Sequence, residues 1–321
     1  MKVGNLVSWR GDLAMDFIPS YNFYFRAYLL FMVISLVFSP HSFASESLVQ
    51  DLTKLQSSNG KIVSQKKVPS YSGCSSSSRC YKIVYLSDGL EIAGYIVIPK
   101  KVPGKLPVLI FNRGGNRDFG KLTNKSLKYL SYLSSNGFIV LASQYRGVDG
   151  GEGKDQFGGE DIKDVLNLMP LAHSLAIADA DNTVMLGFSR GGMMTYLAIK
   201  NGIKIKAAAV VGGATDLEQT YEERDKKMKR LIRELVGNDK QEWRNRSAYY
   251  WPEKINVPVL ILHGGKDWRV KDSQARKLAK KLEDHGKEYK LTIIPEGDHG
   301  LNKHRRKRNS LIFNWFNSHL K

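Results

Sequence analysis

Val184-Met185-Leu186-Gly187-Phe188-Ser189-Arg190-Gly191-Gly192 is the stretch whose reading decides the fold. The apolar run Thr183 to Leu186 predicts a buried strand, and Arg190 to Lys200 predicts a helix closed by Gly202. Between them, Gly187-Phe188-Ser189-Arg190-Gly191 is a G-x-S-x-G pentapeptide. A serine on so sharp a strand-to-helix turn is held in a strained backbone, with its hydroxyl pushed clear of the sheet. Glycines flank it because a β-carbon there would collide with the neighbouring strand and helix. The helix N-terminus behind Ser189 favours negative charge, which is what an attacked carbonyl oxygen develops. A plain strand–turn–helix junction would also accommodate the pentapeptide. The strand before it and the helix after it favour a nucleophile.

Reading outward, Tyr81 to Leu86 and Leu90 to Ile98 flank Ser87-Asp88-Gly89, an antiparallel hairpin signal. Pro107 to Phe111 and Phe138 to Ala142 are near-continuous apolar runs, as in strands covered on both faces. Strands are also expected at Lys206 to Val211, Pro258 to Leu262 and Lys290 to Ile294. Helices are expected at Lys121 to Ser135, Asp161 to His173, Asp272 to His285 and Arg305 to Leu320, with a glycine-rich loop at Gly147 to Gly159. This alternation predicts an α/β fold with a mostly parallel eight-stranded sheet flanked by helices and an antiparallel N-terminal hairpin. Ligands then bind at the carboxyl ends of the strands. Residues 216–255 interrupt the rhythm as a helical insert before the strand at 258–262, longer than a crossover needs. Its first part, Leu217 to Leu235, predicts one charged helix; Trp243, Tyr249, Tyr250 and Trp251 follow. It is either a solvated insert packed on the domain or a lid over the catalytic mouth.

A serine hydroxyl needs a base and a group that orients the base. Of seven histidines, His299 follows the last strand in the polar loop Pro295 to Gly300 and is the expected base. His263 ends a strand before its loop and is expected to be structural. Asp267 lies at another strand end and is the expected orienting acid. Asp298 competes, but a carboxylate adjacent in sequence to a histidine usually points away from its ring. The order Ser189, Asp267, His299 is that of an α/β-hydrolase. Oxyanion donors are expected from the backbone of Arg190 and from the loop with Gly114 and Gly115, after the strand at 107–111.

From about Tyr81 onward the chain resembles the catalytic domain of the prolyl oligopeptidase family, within the α/β-hydrolase fold. Five stretches carry the resemblance: Asn112-Arg113-Gly114-Gly115, Gln144-Tyr145-Arg146-Gly147, Gly187 to Gly192, His263 to Val270, and Gly297-Asp298-His299-Gly300. It implies Ser189 as nucleophile, Asp267 as orienting acid and His299 as base. Two departures matter. Residues 1–80 leave no room for the β-propeller of full-size members. Arg113 stands where many peptidase members place an oxyanion-binding tyrosine. Arg113 is therefore expected to hold the oxyanion, to bind a substrate carboxylate, or to be structural; Tyr145 and Arg146 are further candidates for substrate contact. The implied activity is cleavage of peptide or ester bonds through an acyl-enzyme. A carboxylesterase without peptidase activity, and a non-catalytic envelope binding protein on the same fold, are the alternatives.

The chain has 321 residues, a formal charge of +18 and 42% hydrophobic residues, enough for one large α/β domain. No zinc-finger spacing or RNA-binding motif accompanies the charge, so no nucleic-acid partner is expected. No organic cofactor or metal is expected either. The partner is a small peptide or ester substrate. Residues 27–38 form an uninterrupted apolar run after Arg26, too short for a comfortable span, and Ser42-Phe43-Ala44 suits signal peptidase. Residues 1–44 are thus expected to be a signal peptide, with Met15 an alternative start of translation, or else an uncleaved anchor. The protein is expected to be exported, periplasmic or secreted. Residues 45–80 read as a linker, and residues 81–321 as the catalytic domain. Cys74 and Cys80 are expected to pair in an oxidising compartment and to pin a small surface loop.

Overall fold

Alternating side chains along the central strands explain the two-sided architecture. On β4 (Leu106–Asn112), Val108 and Ile110 join one apolar cluster while Leu109 and Phe111 join another. The two clusters are the two faces of one sheet. The computed structural model describes residues 58–320. The expected signal segment, and the linker before residue 58, lie outside the described residues.

The remaining strands are β1 (Ile62–Val68), β2 (Ser78–Ser87), β3 (Leu90–Pro99), β5 (Ile139–Ser143), β6 (Ala178–Phe188), β7 (Ala207–Val211), β8 (Val259–Gly264) and β9 (Tyr289–Ile294). Their order across the sheet is β1-β2-β3-β5-β4-β6-β7-β8-β9. The first three run antiparallel to their neighbours, and β5, β4, β6, β7, β8 and β9 are parallel. The reversal of strand order at β4 and β6 creates the crevice where such sheets bind ligands.

Helix α1 (Asn124–Ser135) covers the face that includes Leu109, burying Leu127, Leu130 and Leu133. Each such leucine contributes about 1.5–3 kcal/mol. Helices α2 (Lys163–Leu166), α3 (Leu168–Ser174), α4 (Arg190–Lys200) and α8 (Asp272–Asp284) pack on the opposite face. The C-terminal α9 (Arg305–His319) joins α1 through Ile312, Phe313 and Phe316. Among the described residues no helix is long and apolar enough to cross a membrane.

Three details depart from the sequence reading. The sheet has nine strands, because part of the expected linker forms β1. That strand, with Ser64 to Lys67 polar and Val63 exposed, is half-buried only at Ile62 and Val68. A solvent-facing edge strand needs no apolar alternation, and Lys66 and Lys67 help keep the edge from pairing with other chains. The charged run expected as one helix is two, α5 (Leu217–Glu223) and α6 (Lys226–Leu235), followed by α7 (Lys240–Asn245). Asp225 causes the break: its carboxylate accepts the Met228 N–H at 2.8 Å and caps a new helix. Finally, Cys74 and Cys80 are disulfide-bonded, but the bond is not at the surface. Cys80 is fully buried against α1, and Ser131 of that helix accepts the Ser75 N–H at 3.1 Å.

Candidate active site

Ser189 sits between β6 and α4 with φ 55° and ψ −123°, a conformation that side-chain-bearing residues rarely adopt. The glycines around it are required by contact distance. A β-carbon on Gly187 would lie 2.2 Å from the Gly191 carbonyl oxygen, and one on Gly191 would lie 2.0 Å from that of Asn112. The turn is locked to the next strand, because the Ser189 N–H donates to the Val211 carbonyl at 2.9 Å.

The residue after Val211 is Gly212, and it touches the other two expected groups. A β-carbon there would stand 3.2 Å from His299 Nδ1 and 3.3 Å from Asp267 Oδ2. The end of β7 is thus flanked by Ser189 and by the His299–Asp267 pair. His299 Nδ1 lies 2.7 Å from Asp267 Oδ2. The N–H groups of Arg269 and Val270 donate to Asp267 Oδ1 at 2.8 and 3.0 Å. Asp298 is committed elsewhere, accepting from the Asn302 N–H at 2.6 Å. Among the described residues, neither the Ser189 hydroxyl nor His299 Nε2 makes a hydrogen bond. Such bonds are often long before substrate binds and tighten in the complex.

His263, expected to be structural, supports the acid directly. Its fully buried ring places Nε2 2.9 Å from the Val270 carbonyl and 3.2 Å from Asp267 Oδ2. The carbonyl can only accept, so Nε2 carries the proton. Burial raises the Asp267 pKa, but hydrogen bonds from His263 and His299 and the charge on His299 outweigh it. The carboxyl is held well below its ordinary range and stays ionised. The spacing of His263 four residues before Asp267, at the same strand end, was the available signal.

Gly114 lies against Ser189, since a β-carbon on it would stand 3.2 Å from that of Ser189. Among the described residues, the N–H groups of Gly114, Gly115 and Arg190 have no protein acceptor. A cleft of about 270 Å³ opens over Ser189, Arg190 and Gly115, and the insert lines it with Leu217, Thr220, Met228 and Leu231. A second cleft of about 330 Å³, between Phe111, Tyr129, Phe188 and Arg308, contains none of Ser189, Asp267 and His299.

The three residues expected to touch substrate do not line the cleft. Arg113 is 1% exposed; its guanidinium donates to the carbonyls of Gln144, Gly114 and Arg117. It shapes the Gly114–Gly115 loop, which fits the structural alternative. Tyr145 is fully buried and its hydroxyl donates to the Arg113 carbonyl at 3.1 Å. Arg146 pairs at 2.8 Å with Asp164, itself fully buried. Each is used up in holding backbone or balancing charge.

Arg190 has a larger role than its backbone. Its buried guanidinium pairs with Asp155 at 2.7 Å and with Asp161, donates to the Gly115 carbonyl at 3.2 Å, and lies over Phe157 and Tyr145. It ties the glycine-rich loop and the Gly114–Gly115 loop to the serine turn. Burial raises the Asp161 pKa and Arg190 opposes this. Arg190→Met would strand two buried carboxylates. We expect a stability loss of about 3–5 kcal/mol in denaturant melts near neutral pH. Without the guanidinium the fold disfavours the ionised form of both carboxyls, so the loss shrinks as pH falls and they take up protons. A loss unchanged by pH would contradict this origin. Arg308, also missed, donates to the Gly300 carbonyl at 2.7 Å and steadies the loop after His299.

Residues 125–321 match the prolyl oligopeptidase family model. Over 226 residues the chain is 34% identical to a peptidase of Bacillus subtilis, the uncharacterized YtmA, covering 69% of this chain and 85% of that one. The chain belongs to the prolyl oligopeptidase family. Acylamino-acid-releasing enzyme 1 of rice (Oryza sativa subsp. japonica) is 30% identical over 257 residues, or 73% of this chain. This prolyl oligopeptidase-family chain spans 33% of the rice protein's length. The acylaminoacyl peptidase of Pyrococcus horikoshii superimposes with a TM-score of 0.66 at 24% identity, over 77% of this chain and 42% of that one, which supports the α/β-hydrolase fold. The prolyl oligopeptidase-family protein described here is a serine hydrolase.

Proposed function

We propose that this serine hydrolase is an exported peptidase acting through an acyl-enzyme on Ser189. The observation that carries the reading is the 2.7 Å contact between His299 Nδ1 and Asp267 Oδ2, across Gly212 from the strained Ser189 turn. Asp267, ionised and fixed by two backbone N–H groups, holds the proton on His299 Nδ1. His299 Nε2 then presents a lone pair and takes the Ser189 proton as Oγ attacks the carbonyl carbon. Negative charge moves to the carbonyl oxygen, where the backbone N–H groups of Gly115 and Arg190 receive it. His299 returns the proton to the leaving amine. Water, deprotonated by the same nitrogen, then attacks the acyl ester and releases Ser189. The helices of residues 216–255 form a lid over the cleft. Export rests on the apolar run at residues 27–38, and the Cys74–Cys80 bond suits an oxidising compartment.

The relatives' names favour amide bonds over esters as substrates. The test is labelling with a fluorophosphonate, followed by peptide mapping and by assay of N-acyl peptide amides beside p-nitrophenyl acetate. We expect label on Ser189 and loss of both activities. Label with ester turnover alone would make the protein an esterase. Absence of label would leave a binding protein on a hydrolase fold.

A further inference from the structure

The rim of the cleft over Ser189 carries an unbalanced positive charge. Arg224, Lys227 and Arg269 line it, and Asp225 is the one carboxylate among the lining residues. The charge of Arg190 is excluded from this sum, because Asp155 and Asp161 already neutralise it. Arg224 reaches Asp225 only at 3.7 Å, and Asp225 is also the cap of α6. Arg269 and Lys227 make no ion pair among the described residues.

Trp268 organises this charge. It is 61% exposed, and the guanidinium groups of Arg224 and Arg269 each lie 5.2 Å from its ring centroid. Two like charges are therefore held no more than twice that distance apart. The Arg224 guanidinium is fixed by a 3.1 Å bond to the Arg269 carbonyl. Holding both charges at one ring costs repulsion that an anion bound beside them would relieve. The position is close to the chemistry: Trp268 follows Asp267, and the Arg269 N–H binds the Asp267 carboxylate. Guanidinium groups suit carboxylates because their paired N–H donors match two oxygens.

We propose that Arg224 and Arg269, flanking Trp268, form a subsite for a substrate carboxylate near the scissile carbonyl, so that acidic acyl-peptides are the preferred class. The assignment rests on Ser189 being the nucleophile. The carboxylate is either an acidic side chain on the acyl side or the free terminus of a short leaving peptide, and matched substrates separate the two. N-acetyl-Glu and N-acetyl-Gln coumarylamides test the first. N-acetyl-Ala-Ala with a free carboxylate, against its amide, tests the second.

In at least one pair, kcat/KM should favour the acidic member by about tenfold at low salt. The ratio should fall as NaCl rises from about 20 to about 500 mM, because the rim is exposed and screening is effective at such distances. It should collapse towards one in Arg269→Gln and in Arg224→Gln, measured on protein with an unchanged circular dichroism spectrum. Equal or better turnover of the neutral members overturns the subsite and leaves the serine hydrolase reading standing. No turnover of any member, with no fluorophosphonate label, overturns both.

Discussion

Ser189→Ala lowers kcat/KM for an activated ester or peptide amide by about 10⁵-fold or more, the scale on which removal of a hydrolase nucleophile is felt. Protein stability should move by less than about 0.5 kcal/mol. The hydroxyl makes no hydrogen bond among the described residues, and alanine meets the same backbone strain at φ 55°. Residual rate would come from the Gly115 and Arg190 N–H groups and from the cleft, which the substitution leaves in place. Steady-state kinetics with a melting curve on the same preparation decide the matter. A variant retaining more than about a hundredth of wild-type activity would remove Ser189 from the chemistry.

Asp267→Asn should lower kcat by about 10⁴-fold, for a reason visible in its partners. Oδ1 already accepts two backbone N–H groups, from Arg269 and Val270, so the asparagine oxygen must take that place. The new NH₂ then faces His299 Nδ1 and the protonated Nε2 of His263. His299 can meet it only by moving its proton to Nε2, where it can no longer accept one from Ser189. His263 has no easy escape, because its Nδ1 is buried without a partner among the described residues. A stability loss accompanies the kinetic one. The lowered pKa of Asp267 means that its ionised form stabilises the fold. That contribution is complete above the unfolded carboxyl value, about 3.9, and is lost as pH falls through the lower folded value. The wild-type advantage in denaturant melts should therefore vanish in strong acid. Wild-type turnover in the asparagine variant would assign the orienting role to another group.

The central strands were legible because double-sided burial writes itself as apolar runs, as in Val108 to Phe111 and Val184 to Leu186. The Ser189 turn was legible because it requires Gly187 and Gly191 together. The choice of Asp267 over Asp298 followed from stereochemistry alone. What stayed hidden depends on lateral contacts. Arg190 and Asp161 are 29 positions apart, and nothing local distinguishes their buried pair from two solvated charges. Arg113 and Arg146 looked like ligand-binding groups for the same reason. Charge content cannot say which cations have already met a carbonyl or a carboxylate inside the protein. The first strand was missed because an edge position relaxes the alternation on which strand recognition depends.

The cross-link beneath α1 has a consequence of its own. Cys74 is 5% exposed and Cys80 not at all. A thiolate must approach a sulfur directly to exchange with it. Small reductants therefore cannot reach this bond until the helix lifts from β2, and the rate of reduction becomes a clock for that local opening. Once made, the link is insulated from swings in the surrounding redox poise for as long as the sheet stays closed.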